Sequence, residues 1–138
     1  MNVSISTTIN SSADSVWKTI SDFQGIDKYI PGIASSTMEG SGVGALRILT
    51  VDTGGTVVER LENLNEQART LSYSIVEAPL PVAGYVSTMQ IRAIADDRCE
   101  LTWSSVFEPK GVSEAKAGKL IESIYSLGFD GLKKLLGS

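Results

Sequence analysis

Strict alternation of apolar and polar positions opens the chain and returns several times along it. Over residues 3–10 every second residue is β-branched, which predicts a half-buried strand. Six further strand-like stretches, separated by turn residues, lie at residues 35–39, 45–51, 56–64, 70–77, 85–95 and 99–107. Because the connections between these six are only a few residues long, they should pair antiparallel as a meander, and with the first strand they give a seven-stranded sheet.

A helical period of apolar residues follows the first strand. Ser11 and Asp14 fit the start of a helix, and the apolar residues after them predict that this helix ends near Gly25. A second, short helical turn over residues 26–30 should stop at Pro31, because the residue before a proline is pushed out of the helical conformation. Two short helices are therefore expected between the first and second strands.

The last segment, residues 113–136, is one long amphipathic helix with Ser113 as its expected N-cap. A curved antiparallel sheet that buries its inner face on this helix makes an α+β architecture. The apolar face of the helix is predicted to consist of Ala117, Leu120, Ile121, Ile124, Leu127, Gly128, Leu132 and Leu135.

Composition and charge exclude several classes of function. A chain of 138 residues should form one domain, residues 1–138. With 12 basic and 16 acidic residues the net charge is −4, so the broad positive field of a nucleic-acid-binding protein is missing. The absence of histidine and the single Cys99 exclude histidine-based catalysis and nearly every zinc or haem site, and we expect no metal and no cofactor.

The compartment expected from the sequence is the cytoplasm. The start of the chain lacks the charged and apolar blocks of a signal peptide, and a lone cysteine cannot form an internal disulfide. No apolar run approaches the ~18 residues of a membrane span. We therefore expect a cytoplasmic protein without a membrane span. The sequence leaves open whether it forms a homodimer.

Two charged residues on neighbouring strands are the candidate catalytic pair. By alternation, Arg47 shares a face with Leu49 and Val51, and Glu59 shares a face with Val57 and Leu61. Arg47 and Glu59 could therefore meet across the hairpin on the inner side of the sheet and anchor a polar group of a ligand. The alternative is an ordinary cross-strand salt bridge on the solvated outer face.

A mixed polar and apolar set alternates onto one face of the next two strands. It consists of Tyr73 and Ile75, followed by Tyr85, Ser87, Met89 and Ile91. Two phenols, a hydroxyl and a soft thioether suit a pocket for an amphipathic molecule. The alternative is that the tyrosines are core residues whose hydroxyls reach the surface. Trp103 and Phe107 are expected to fill the core.

The order of elements and several local motifs together resemble the START-like (SRPBCC) superfamily. The motifs are Ala13-Asp14-Ser15-Val16-Trp17, Asp27-Lys28-Tyr29-Ile30-Pro31, Val58-Glu59-Arg60-Leu61, Leu71-Ser72-Tyr73-Ser74-Ile75, Pro79-Leu80-Pro81-Val82, Tyr85-Val86-Ser87-Thr88-Met89, Leu101-Thr102-Trp103 and Phe107-Glu108-Pro109. This superfamily includes birch-pollen-type allergens, plant hormone receptors and polyketide cyclase/dehydrase-like proteins. The resemblance implies a helix-grip fold, in which the sheet wraps the long helix around a cavity for an apolar or amphipathic molecule.

The resemblance also implies which residues line that cavity. The expected ligand-binding residues are Leu49, Val51, Val57, Leu61, Tyr73, Ile75, Val82, Tyr85, Ser87, Met89, Leu120, Ile124 and Gly128. Gly128 has two interpretations, because a missing side chain either leaves a void or lets a strand approach closely. The loops at residues 52–55 and 77–84 correspond to the gate and latch of the hormone receptors, but their motifs differ. They are expected only to border a pocket mouth.

Three functions follow as hypotheses. The first is a carrier or sensor that holds a small, mostly apolar or amphipathic molecule between the sheet and the long helix. The second is a cofactor-free cyclase, dehydratase or isomerase that uses Arg47 and Glu59. The third is a non-catalytic interaction domain whose cavity is filled by side chains.

Overall fold

The fold is a curved antiparallel sheet packed around one long helix. The structure, a computed structural model, describes residues 1–137. The strands are β1 (Asn2–Ile9), β2 (Ile33–Glu39), β3 (Leu46–Val51), β4 (Thr56–Asn65), β5 (Thr70–Glu77), β6 (Val82–Ala95) and β7 (Arg98–Pro109), and the helices are α1 (Ala13–Ser21), a 3-10 helix (Phe23–Lys28) and α2 (Glu114–Leu136). The seven strands lie in the order β1-β7-β6-β5-β4-β3-β2, with all neighbours antiparallel. The α+β helix-grip fold expected from the sequence is confirmed.

The start of the helical region differs in detail from the sequence prediction. Ser12, not Ser11, caps α1, because its hydroxyl accepts a hydrogen bond from the backbone N–H of Ser15 at 3.1 Å. The helix ends at Ser21, and the chain continues as a 3-10 helix instead of running to Gly25. The two short helices are therefore present, but the break between them comes earlier than predicted.

The buried face of α2 is narrower than predicted and includes two aromatic residues. Ser113 caps the helix as expected. Leu127 and Leu135 are about half exposed, whereas Tyr125 and Phe129 are buried, so the assignment of the two leucines to the inner face is wrong. Leu127 lies two residues from Tyr125, about 160° around the helix axis, and therefore points away from the sheet.

Two glycines let α2 approach its neighbours closely. A Cβ atom at Gly131 would lie 1.7 Å from the carbonyl oxygen of Tyr29, and one at Gly128 would lie 2.6 Å from the Trp103 ring. The missing side chain at Gly128 therefore allows close packing and does not leave a void. The helix thus rests on the backbone after the 3-10 helix and on the indole of β7, which sets its height above the sheet.

Within residues 1–137, the helices do not include one that is long and apolar enough to cross a membrane. That the chain forms a single domain stays a prediction.

Candidate functional site

An apolar pocket of about 230 Å³ lies between the inner face of the sheet, α2 and the segment after the 3-10 helix. Its walls are mainly aliphatic, with one carboxylate and three aromatic residues that carry a hydroxyl group. We call it the inner pocket. It is lined by Ile26, Ile30, Pro31, Gly32, Ile33, Leu49, Val51, Val57, Glu59, Tyr73, Ile75, Leu80, Tyr85, Trp103, Ile121, Ile124 and Tyr125.

The residues proposed from the sequence divide into those at this pocket and those elsewhere. Leu49, Val51, Val57, Glu59, Tyr73, Ile75, Tyr85 and Ile124 line it. Seven other proposed residues do not line it. Four of them are buried beside or behind the pocket: Arg47, Leu61, Ser87 and Met89. Leu120 is half-buried on α2, Val82 borders a surface depression next to Tyr85, and Gly128 packs on Trp103. The inner pocket therefore takes its walls from only part of the proposed set.

Sequence reasoning did not place several lining residues at the site. Tyr125 and Ile121 are spaced i, i+4 on α2, a pattern that puts both on one helix face and was a usable signal. Trp103 was expected in the core, and the wall formed by residues 26–33 has no periodic pattern. Those residues are brought to the pocket by contacts between distant parts of the chain, among them Tyr29 against Gly131 of α2 and Gly32 hydrogen-bonded to Asp52.

Arg47 and Glu59 form an ion pair on the inner side of the sheet. They are register partners in the β3–β4 hairpin, and the Arg47 Nε atom donates to Glu59 Oε1 at 2.6 Å. Their side chains are 2% and 9% exposed, so the alternative of a solvated outer-face pair is wrong. A second hydrogen bond runs from Arg47 Nη1 to the carbonyl oxygen of Phe23 at 3.0 Å.

Aromatic rings enclose the guanidinium. Its central carbon lies 3.9 Å from the ring centroid of Phe23 and 4.6 Å from that of Tyr73, which is a favourable cation–π arrangement. Burial lowers the pKa of Arg47, but the charge of Glu59 and the neighbouring phenols outweigh it and raise the pKa above its ordinary value. Arg47 therefore stays charged, and its partner Glu59 is the group that lines the inner pocket.

A chain of neutral polar groups lies beside this ion pair. The Trp103 indole N–H donates to the Ser87 hydroxyl at 2.9 Å and to the Tyr73 hydroxyl at 3.2 Å. Ser87 is also 3.0 Å from the Tyr125 hydroxyl, which in turn is hydrogen-bonded to the Tyr85 hydroxyl. We call these five residues the hydroxyl network.

Stacking and burial hold the hydroxyl network in place. The rings of Trp103 and Tyr125 stack with centroids 4.3 Å apart and planes 13° from parallel. Burial raises the pKa of the Tyr73, Tyr85 and Tyr125 hydroxyls, so all three stay protonated at neutral pH. At the inner pocket they can act as hydrogen-bonding groups but not as bases.

Glu59 is therefore the pocket residue that can accept a proton from a bound molecule. Its Oε1 atom is held by Arg47, while Oε2 takes part in no hydrogen bond among residues 1–137. The same residues include no group of three or more His, Cys, Asp or Glu side chains placed to hold a metal ion. The arrangement allows hydrogen bonding and proton transfer inside an otherwise apolar space.

Comparison with known proteins assigns the chain to a family. Two solved structures are each 34% identical to it with TM-scores of 0.91: an uncharacterised protein from Bacillus thuringiensis, where the match covers 98% of both chains, and the protein XoxI from Bacillus cereus, where it covers 98% of this chain and 94% of the other. A solution structure from Thermobifida fusca is 25% identical with a TM-score of 0.82 over 95% of this chain and 89% of that one. No curated protein matches. The sequence profile described as polyketide cyclase/dehydrase and lipid transport matches residues 1–137, and the chain therefore belongs to that family.

Proposed function

We propose that this protein binds a small, mostly apolar or amphipathic molecule in the inner pocket, as a carrier or sensor. The observation that carries the proposal is the inner pocket itself, an apolar space between sheet and helix with a few polar groups at defined positions. This combination is typical of small-molecule sites. Membership of a family described by polyketide cyclisation and lipid transport supports the same class of ligand.

The size of the pocket limits the ligand. A volume of about 230 Å³ is below the ~300–1,000 Å³ of sites for drug-sized molecules, while ~150 Å³ is enough for benzene. The expected ligand is therefore the size of one or two fused rings or a short chain, unless the loops at the pocket mouth open.

Titration with an environment-sensitive apolar dye tests the proposal. Ile124→Trp should fill the inner pocket and abolish saturable binding, since Ile124 is part of its wall. Leu127→Trp is the matched control on the outer side of the same helix, where the leucine is half exposed, and should bind as the wild type does. Thermal melts establish that both variants are folded. Equal dye binding by Ile124→Trp and the wild type would contradict the proposal.

A cofactor-free cyclase, dehydratase or isomerase is the second candidate. The observation that favours it is the carboxylate of Glu59 at the pocket wall, with Arg47 as its charged partner. Such a group can remove a proton next to a carbonyl and return it elsewhere. Incubation with a methyl ketone in deuterated buffer would detect this as exchange at the methyl group, and the exchange should be lost in Glu59→Gln. The cytoplasmic location, a homodimer and the lack of nucleic-acid partners stay predictions.

A further inference from the structure

The hydrogen bonds of the hydroxyl network favour one arrangement of its protons. Each hydroxyl has one proton to donate and two lone pairs to accept. The Ser87 hydroxyl lies 3.0 Å from the carbonyl oxygen of Ser104, which can only accept, so the Ser87 proton is used there. Because the indole N–H of Trp103 can only donate, Ser87 accepts from it.

The direction of the next two hydrogen bonds follows from this. Ser87 has no proton left, so the contact between Ser87 and Tyr125 is a hydrogen bond only if Tyr125 donates. Tyr125 then has no proton for Tyr85, and Tyr85 must donate to Tyr125. All these hydrogen bonds therefore point the same way: Tyr85 donates to Tyr125, Tyr125 donates to Ser87, and Ser87 donates to the carbonyl oxygen of Ser104.

Of the three tyrosines that line the inner pocket, Tyr73 and Tyr85 consequently present opposite functions. Tyr85 uses its proton within the network and has only lone pairs left for a ligand. Tyr73 accepts from Trp103, and its polar neighbour Ser87 already uses both lone pairs for Trp103 and Tyr125, so the Tyr73 proton is free to be donated. Their rings are neighbours, with centroids 6.3 Å apart, and both residues line the pocket.

The charges around the pocket disfavour an anionic ligand. Arg47 does not line the inner pocket: its Nε and Nη1 atoms are engaged by Glu59 and by the backbone of Phe23, and its Nη2 atom is buried without a hydrogen-bond partner among residues 1–137. Glu59 does line it, with an unengaged carboxylate oxygen. A ligand carboxylate would meet the Glu59 carboxylate in an apolar space, while the guanidinium that neutralises Glu59 lies outside the pocket lining, so its burial would be costly.

We infer that the natural ligand is a neutral, largely apolar molecule with a hydroxyl group, which accepts a hydrogen bond from Tyr73 and donates to Glu59 or Tyr85. This inference rests on the proposed function, because it names the ligand class of the same pocket. A phenol or an enol meets these requirements, while a fatty-acid carboxylate does not. Tyr73, Tyr85 and Glu59 thus make the inner pocket selective for a neutral hydroxyl group over a charged head group of similar size.

Four probes with the same two-ring skeleton test this selectivity at neutral pH by calorimetry or fluorescence. They are naphthalene, β-naphthol, methyl β-naphthyl ketone and β-naphthoate. One or two hydrogen bonds should make β-naphthol bind about tenfold more tightly than naphthalene, and β-naphthoate should bind at least about tenfold more weakly than β-naphthol. Equal affinities for all four would overturn the inference and leave the proposed function standing. Absence of saturable binding by any of them would overturn both.

Matched tyrosine variants test the proton directions. Tyr73→Phe removes the hydrogen-bond donor and should lower the affinity for the ketone, which can only accept a hydrogen bond, by roughly two- to tenfold. Tyr85→Phe removes a hydrogen-bond acceptor and should lower the affinity for β-naphthol more than the affinity for the ketone. Tyr29→Phe, at a buried tyrosine outside the pocket lining, is the control and should leave all affinities unchanged. If Tyr85→Phe weakens the ketone as strongly as Tyr73→Phe does, the assigned directions are wrong.

Discussion

The ion pair and the hydroxyl network bury polar groups side by side on the inner side of the sheet, but the two regions satisfy their hydrogen bonds differently. Arg47 is 2% exposed and has two engaged nitrogens, while its Nη2 atom has no hydrogen-bond partner among residues 1–137. In the hydroxyl network every side-chain oxygen and the indole nitrogen has a partner. The comparison teaches that a single group, Glu59, neutralises the charge of Arg47, whereas the hydroxyl network shares its hydrogen bonds among several neutral groups.

The largest effect is expected from breaking the ion pair. Glu59→Gln or Arg47→Met leaves the other residue as an uncompensated buried charge, which should lower the free energy of unfolding by about 3 to 5 kcal/mol. Urea denaturation at neutral pH measures this loss for each variant. Losses below about 1 kcal/mol in both would mean that the pair is solvated and that the enzyme candidate loses its acid–base group.

Ser87→Ala is the matched control in the hydroxyl network. The Trp103 N–H keeps the Tyr73 hydroxyl as an acceptor, so mainly the Tyr125 hydroxyl loses one of its partners, Ser87, while it keeps Tyr85. The expected cost is about 1 to 3 kcal/mol, less than for either ion-pair variant. A larger loss for Ser87→Ala than for Glu59→Gln would reverse the comparison.

An intermediate effect is expected where α2 rests on the hydroxyl network. Gly128→Ala should destabilise the protein by about 1 to 3 kcal/mol, because its Cβ would meet the Trp103 ring, which is stacked on Tyr125 and cannot easily move. Gly118→Ala on the same helix is the control. Its Cβ would meet only the flexible end of Met1 at 3.3 Å, so the variant should gain up to about 1 kcal/mol of helix propensity. Thermal melts in which both variants are equally stabilised would contradict the close packing at Gly128.

The smallest effect at neutral pH is expected from Tyr29→Phe, near the ion pair. The Tyr29 hydroxyl is buried without a hydrogen-bond partner among residues 1–137, so its removal should leave stability unchanged or raise it by up to about 1 kcal/mol. Tyr85→Phe, which removes a partnered hydroxyl, should instead cost about 1 kcal/mol. A loss above about 1 kcal/mol for Tyr29→Phe would show that its hydroxyl is engaged.

The Tyr29 variant also has a defined pH dependence. Burial raises the pKa of Tyr29 to about 12, against about 10 for an unfolded tyrosine. The folded state therefore holds this proton more tightly, and the corresponding stability is fully present below about pH 10 and is lost as the pH rises towards about 12. Urea denaturation across this range should show that the free energy of unfolding of Tyr29→Phe, relative to that of the wild type, increases with pH. A constant difference would mean that Tyr29 ionises equally in both states.

Some features of the site could be read from local pattern alone. The pairing of Arg47 with Glu59 followed from the two-residue period of strands and a short hairpin, which together leave few possible registers. The same period put Tyr73 and Tyr85 on the inner face, where they line the pocket. Alternation could not tell, however, which inner residues meet open space and which, like Leu61 and Met89, are covered by other side chains.

What the sequence by itself determined is the set of strands and helices, the antiparallel pairing of strands that follow one another from β2 to β7 and the face on which each strand residue lies, because these depend on contacts between residues close along the chain; the pairing of β1 with β7 does not. What only the tertiary structure decided is the rotation and height of α2, which bury Tyr125 in place of Leu127 and bring residues 26–33 to the pocket. The physical reason is that this docking depends on the fit of Gly128 on Trp103 and Gly131 on Tyr29, contacts between residues far apart in the chain that no local period encodes.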